Sequence, residues 1–159
     1  MKILFVCTGN TCRSPMAEGM FRQMIQEKGL EEKVLCQSAG LSAVEGTPAA
    51  ENAVLACEEI GISIKDHEAR RLTGEEIPIW DLFFTMSQTH GYILEQAGVP
   101  AQKIYTPIRI EDPYGQDLDA YRRCRDKLQE ELEIFFQDYV LQMLPFERDK
   151  PGISESESV

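Results

Sequence analysis

The sequence predicts an α/β fold: three layers, with helices on both faces of a four-stranded parallel sheet. Three observations carry this. Strand-like and helix-like segments alternate along the chain, the order that favours a parallel sheet. Residues 2–7 form a near-continuous apolar run, as a central strand buried on both faces requires. The helical segments each show an apolar stripe at helical spacing. At 159 residues the chain fits one domain, large enough to bury a core without staples.

Each element has its own signal. After the strand at 2–7 comes a polar turn, Thr8 to Arg13, and then Ser14-Pro15, read as an N-cap followed by the first helical residue. Met16, Met20, Phe21, Met24 and Ile25 share one face of that helix, and Gly29 closes it. A second strand is expected over 34–38, ending in Ala39-Gly40, and a helix over 48–60 with Ala50, Val54, Cys57 and Ile60 inward. The third strand falls at 81–86, with Ser87 capping the next helix, and the fourth at 103–106. Residues 107–116, broken by Pro107 and Pro113, form a loop. Asp117 or Asp119 then caps a long helix striped by Tyr121, Cys124, Leu128, Leu132, Phe135, Phe136 and Tyr139. The domain is drawn at 1–145, and the polar residues 146–159 are read as a flexible tail.

Composition narrows the classes of function. Sixteen Lys and Arg against 27 Asp and Glu give a formal net charge of −11. Such a surface repels nucleic acid and anionic membranes, so neither is expected as a partner. No apolar stretch reaches membrane-spanning length, and the five apolar residues after Met1-Lys2 are too few for a secretory core. Five cysteines, odd in number and widely spaced, fit free thiols in a reducing cytoplasm. Cys7 and Cys12 lack a second pair or nearby His, so no metal site is expected.

The chemistry concentrates in Cys7-Thr8-Gly9-Asn10-Thr11-Cys12-Arg13-Ser14, between a buried strand and a helix start. Open α/β sheets bind ligands at the carboxyl ends of their strands, and a helix N-terminus offers unpaired N–H groups to an anion. Gly9 is expected to let the loop turn so that successive amides converge as a nest. Arg13 adds a planar fork for two phosphate oxygens. The same donors favour a thiolate at Cys7, which Ser14 would also bond. A thiolate beneath a tetrahedral oxyanion is placed for in-line attack on phosphorus. The chemistry also calls for a general acid to protonate the leaving group and later to activate water. Asp112, in the Pro-stiffened loop, competes for that role with Glu111, Asp117 and Asp119.

The segment from Cys7 to Glu18 resembles the signature of the low-molecular-weight protein tyrosine phosphatase family. Ser38-Ala39-Gly40, the run from His67 to Thr73, and Asp112-Pro113-Tyr114-Gly115 extend the resemblance across residues 1 to about 136. The resemblance implies a four-stranded parallel sheet, Cys7 as nucleophile, Arg13 as phosphate clamp, Asn10 and Ser14 as loop-ordering residues and Asp112 as general acid. It implies hydrolysis of phosphorylated proteins through a phosphocysteine. No metal or organic cofactor is expected, because the amide nest and Arg13 already meet the phosphate charge, and the expected state is a monomer.

Substrate preference turns on few positions. Thr11 stands where tyrosine-directed members commonly carry Ile, and the loop is closer to that of the bacterial protein arginine phosphatases of this family. A hydroxyl there suits a polar guanidinium better than a phenyl ring. Tyrosine-directed members often place an aromatic wall near Val44, yet no aromatic residue occurs between Phe21 and Trp80. A missing stacking wall weakens an aryl phosphate by about 0.5–1.5 kcal/mol. Tyr114 remains as one aromatic, while Gly115 replaces a second tyrosine. Phosphoarginine therefore ranks first and phosphotyrosine second. Arsenate reduction ranks lower, because residues 80–90 hold no resolving cysteine and Pro15 replaces that branch's Gln. A non-catalytic phosphate-binding module is the alternative from another class.

The remaining candidates are assigned by type. Cys12 is close enough in sequence to trap an oxidised Cys7 as a disulfide. Cys36, Cys57 and Cys124 read as core fillers. His67 reads as bonding the phosphate loop from behind, His90 as a surface helix residue, Trp80 as a strand anchor or cleft wall, and Arg70-Arg71 as a solvated face.

Overall fold

The structure, a computed structural model, describes residues 1–144. The tail drawn at 146–159 lies outside the described residues. Four strands, β1 (Lys2–Cys7), β2 (Leu35–Gly40), β3 (Leu82–Thr85) and β4 (Ile104–Tyr105), form one parallel sheet in the order β2-β1-β3-β4. The helices are α1 (Arg13–Glu27), α2 (Glu51–Glu58), α3 (Gln88–Gln96) and α4 (Leu118–Phe135). A π-helical turn, Phe136–Val140, and a short final turn, Leu141–Met143, continue α4. No helix among the described residues is long and apolar enough to cross a membrane.

The apolar run of β1 is explained by burial on both sides. Ile3, Phe5 and Cys7 point into the larger core, with Met16, Met20 and Phe21 of α1 and Leu128, Leu132 and Phe135 of α4. Leu4 and Val6 point into a smaller one with Trp80, Phe83 and Leu94. Phe135 is fully buried, with ring centroids 5.1 Å from those of both Phe84 and Tyr105. Trp80 is thus core on the second face rather than a cleft wall, its Nε1 donating to Glu76.

The boundaries shift for local reasons. β2 starts one residue later than expected, at Leu35, and at its end Gly40 N donates to Arg70 O and Leu72 N to Gly40 O. α2 begins at Glu51 rather than at residue 48, since Pro48 lies in a bridge with Glu68. β4 shortens to two residues, ended before Pro107. α1 starts at Arg13, so Ser14 is inside the first turn and does not cap it. Pro15 still falls among the first N–H groups that no helix satisfies. Gly29 adopts φ 69°, and Leu30 N donates to Ile25 O, closing α1 as a Schellman motif. Asp117, not Asp119, caps α4 by accepting from Ala120 N. Tyr139 lies outside the core, 41% exposed, its ring edge-on to that of Tyr105.

Candidate active site

The loop between β1 and α1 is held by its carbonyls. Cys7 O accepts from Leu41 N, Thr8 O from Ser42 N, Thr11 O from Ala50 N, and Cys12 O from Met16 N. Asn10 O accepts from His67 Nε2 at 2.7 Å, which puts that ring's proton on Nε2 and places His67 behind the loop as expected. With the carbonyls bonded outward, the amides of Gly9, Thr11 and Cys12 have no protein acceptor among the described residues. Unpaired amides in a loop that opens directly into α1 suit an anion. The sequence-predicted Thr8, Gly9, Asn10, Thr11, Cys12 and Arg13 all line a cavity of 450 Å³ with Cys7 at its floor, and Ser14 lies directly beneath the sulfur.

Asn10 makes the turn, and this corrects the reading of Gly9. Asn10 holds φ 57°, a conformation asparagine tolerates better than most residues. Gly9 shows no positive φ, and a Cβ there would meet nothing nearer than Thr11 Oγ1 at 3.8 Å. The sterically required glycine is Gly40. A Cβ on it would come within 2.6 Å of Thr8 O and 3.0 Å of Asn10 N, both backbone atoms of the loop.

The Asn10 side chain is fully buried and spends every polar atom. Its Oδ1 accepts from Arg70 N at 3.0 Å, and its Nδ2 donates to Ser14 Oγ at 2.8 Å and Ser38 Oγ at 3.0 Å. Ser38 in turn donates to Glu18 Oε1, whose other oxygen is paired with Arg22 at 2.7 Å. These constraints orient the last hydroxyl. Ser14 Oγ accepts from Asn10, so its own hydrogen is directed to Cys7 Sγ, 2.9 Å away. Asn10 N also points at that sulfur, at 3.3 Å. Two donors thus converge on Cys7 Sγ. Sequence reasoning missed Glu18, although it lies one helical turn after Ser14, and gave Ser38 no role.

Arg13 is 7% exposed and faces the cavity rather than bulk water. Its Nη1 donates to Ile110 O at 3.0 Å, and its Nη2 is 3.5 Å from Asp112 Oδ2. Asp112 Oδ1 accepts from Tyr114 N, fixing the carboxyl at the cavity rim with about half its side-chain surface exposed. Glu111, Asp117 and Asp119 do not line this cavity. Val44 and Tyr114, each 73% exposed, and the half-buried Thr11 also line the cavity.

The other thiols are raised by burial. Burial pushes the Cys12 thiol up, against hydrogen bonds from Tyr121 and Thr11 that pull it down. Burial likewise pushes Cys36, Cys57 and Cys124 up to about 12. Arg70 is not simply solvated: it pairs with Glu76 at 2.7 Å while its backbone holds Asn10.

His90 is not a surface residue. It is 5% exposed on α3, with Nε2 2.9 Å from Thr8 Oγ1. Its place three residues after the Ser87 cap turns it inward, toward the sheet's carboxyl edge. Burial first, and the charge of Arg13 second, lower its pKa to about 4. An unfolded His90 takes up a proton near pH 6.5 and the folded one only near 4. The unfolded state therefore binds more protons in that window, and stability falls as pH drops through it. Urea unfolding should show a loss of stability between pH 6.5 and 5 that His90→Leu removes. Glu59, held down to about 2 by hydrogen bonds from Arg122 and Arg125, contributes its own loss only at lower pH. An unchanged slope in His90→Leu would refute the assignment.

Comparison with known proteins agrees with this geometry. A family model described as low molecular weight phosphotyrosine protein phosphatase matches residues 2–143. A protein-arginine-phosphatase of Bacillus subtilis is 38% identical over 139 residues, covering 82% of this chain and 91% of the relative. Low molecular weight protein-tyrosine phosphatase A of Mycobacterium tuberculosis is 35% identical, covering 74% and 78%. A solved structure of YwlE arginine phosphatase, with a phosphorylated serine replacing the active-site cysteine, superposes with a TM-score of 0.79 at 35% identity, covering 89% of this chain and 99% of that one. This chain belongs to the low molecular weight phosphotyrosine protein phosphatase family of hydrolases.

Proposed function

We propose that the enzyme hydrolyses phosphoarginine in proteins, with Cys7 as nucleophile, Arg13 as phosphate clamp and Asp112 as general acid and base. The observation that carries this is the sulfur of Cys7 in the cavity, met by two donors in a loop whose Gly9, Thr11 and Cys12 amides have no protein acceptor among the described residues. In the first step the thiolate attacks phosphorus as the phosphorus–nitrogen bond breaks, and Asp112 gives its proton to the departing guanidine nitrogen. In the second, Asp112 takes a proton from water as its oxygen attacks the phosphocysteine, releasing phosphate and restoring the thiolate. The amides of Gly9, Thr11 and Cys12, with Arg13, meet the charge on the equatorial oxygens throughout.

Thr11 and Val44 support the substrate choice. The rim near Val44 carries no aromatic ring, Thr11 brings a hydroxyl, and the Asp112 carboxylate suits a guanidinium. The 38% relative from Bacillus subtilis is named for the same activity. A second reading, phosphotyrosine, is favoured by Tyr114, whose ring at the rim could cover a phenyl group. The setting we propose is the reducing cytoplasm, where five unpaired thiols stay reduced, with the enzyme acting as a monomer. Cys12 is proposed as resolving thiol: peroxide converts Cys7 to a sulfenic acid, which condenses with Cys12 and releases water.

Initial rates on matched peptides test the substrate. Phosphoarginine is expected to be at least about tenfold better than phosphotyrosine in kcat/KM, roughly 1.4 kcal/mol of discrimination, with Thr11→Ile narrowing the gap. A preference for phosphotyrosine that Thr11→Ile leaves unchanged removes the arginine reading. Cys7→Ser should abolish turnover and Asp112→Asn lower it by about 10²–10⁴. Peroxide inactivation should be reversed by dithiothreitol in the wild type but not in Cys12→Ser; equal recovery in both would exclude Cys12.

A further inference from the structure

Among the described residues, one buried side-chain polar atom has no hydrogen-bond partner: Nδ1 of His90. Such atoms are costly, and in a folded core each asks for a reason. The imidazole does not itself line the catalytic cavity, but its other nitrogen, Nε2, reaches Thr8 Oγ1. Thr8 follows the nucleophile directly and lines the cavity. Its hydroxyl has no other partner among the described residues.

The orphan nitrogen selects the tautomer. A neutral imidazole carries its proton on one nitrogen or the other. On Nδ1 it would be a buried N–H without an acceptor, which folded proteins rarely keep; an unfilled lone pair is tolerated more often. The proton therefore sits on Nε2 and is donated to Thr8 Oγ1. One lone pair of the hydroxyl is then occupied, and the hydroxyl's own hydrogen is left to turn toward the cavity.

We propose that His90 is a positioning residue that presents the Thr8 hydroxyl as a side-chain donor to a non-bridging oxygen of the bound phosphoryl group. The donor ring thus gains a member the backbone does not supply, and the inference rests on the phosphatase reading above. The surroundings hold both partners in register. Ser42 N fixes the Thr8 carbonyl at 2.9 Å, and His90 N donates to the Ser87 cap at 3.3 Å. Gly91 lets α3 approach the sheet, since a Cβ there would come within 3.3 Å of Thr106 Oγ1. Burial keeps the imidazole neutral, so the Nε2 donor persists without placing a second proton on Nδ1.

Calorimetric titration with inorganic phosphate, which needs no turnover, tests this on Thr8→Val, His90→Leu, the double variant and His90→Gln. Thr8→Val is expected to weaken phosphate binding about tenfold, as for loss of one hydrogen bond to a charged group. His90→Leu should weaken it similarly, and the double variant no more than either alone. His90→Gln should retain wild-type affinity, because its amide N–H can reach the same hydroxyl. Wild-type affinity in Thr8→Val, multiplying losses in the double variant, or a tenfold loss in His90→Gln would each overturn the proposal. If His90→Leu does not fold, Thr8→Val and His90→Gln still decide it. Wild-type enzyme that binds no phosphate at all would refute the phosphatase reading, whereas binding indifferent to Thr8→Val refutes this proposal alone.

Discussion

The site depends on how one buried side chain is satisfied. Asn10 bends the loop at φ 57°, takes a hydrogen bond from the Arg70 backbone, and divides its two donor hydrogens between Ser14 and Ser38. Glu18 closes the chain as an acceptor that cannot reverse it. Because every other direction is assigned, the Ser14 hydroxyl hydrogen has only the sulfur of Cys7 to meet. A half-satisfied network of this kind would be worse than an apolar core, whereas a complete one fixes a single geometry. Preorganisation of the nucleophile is therefore a property of polar accounting spread over β1, α1, β2 and the segment around Arg70.

The same logic reconciles an acidic protein with an anionic ligand. A net charge of −11 repels phosphate at long range. Yet the carbonyls of Cys7, Thr8, Asn10, Thr11 and Cys12 are bonded to other segments or to α1, while the amides of Gly9, Thr11 and Cys12 have no protein acceptor among the described residues. Arg13 is buried at the cavity, with Ile110 O and Asp112 keeping it oriented. Local donors at contact distance outweigh a screened surface field whose reach is about 8–10 Å in physiological salt. Asp112 carries a second consequence: by lying 3.5 Å from Arg13 it couples the phosphate clamp to the group that handles the proton.

Much of this was legible in the residues. The alternating pattern gave the parallel sheet, and the strand–loop–helix context of Cys7 and Arg13 located the cavity. His67 was legible as a support because it fell in a motif. What periodicity could not convey was contact between distant segments. Gly40 looked like a strand end, but it is a glycine because the loop backbone passes within 3 Å of where its Cβ would lie. Gly9 was credited with a turn that Asn10 makes. His90 read as surface because a lone polar residue on a short helix usually is; only the fold brings α3 against Thr8. Ser14 looked like a cap because Ser-Pro so often begins a helix, whereas its hydroxyl serves the sulfur instead.

The central claim is that the sulfur of Cys7 itself takes the phosphoryl group. Rapid quenching of Asp112→Asn during turnover of a phosphoarginine peptide, followed by peptide mass spectrometry, addresses this directly. The account predicts one phosphoryl group on the Cys7 peptide, decaying at the rate of product release. Steady turnover with no adduct, or with an adduct on any other residue, would contradict it.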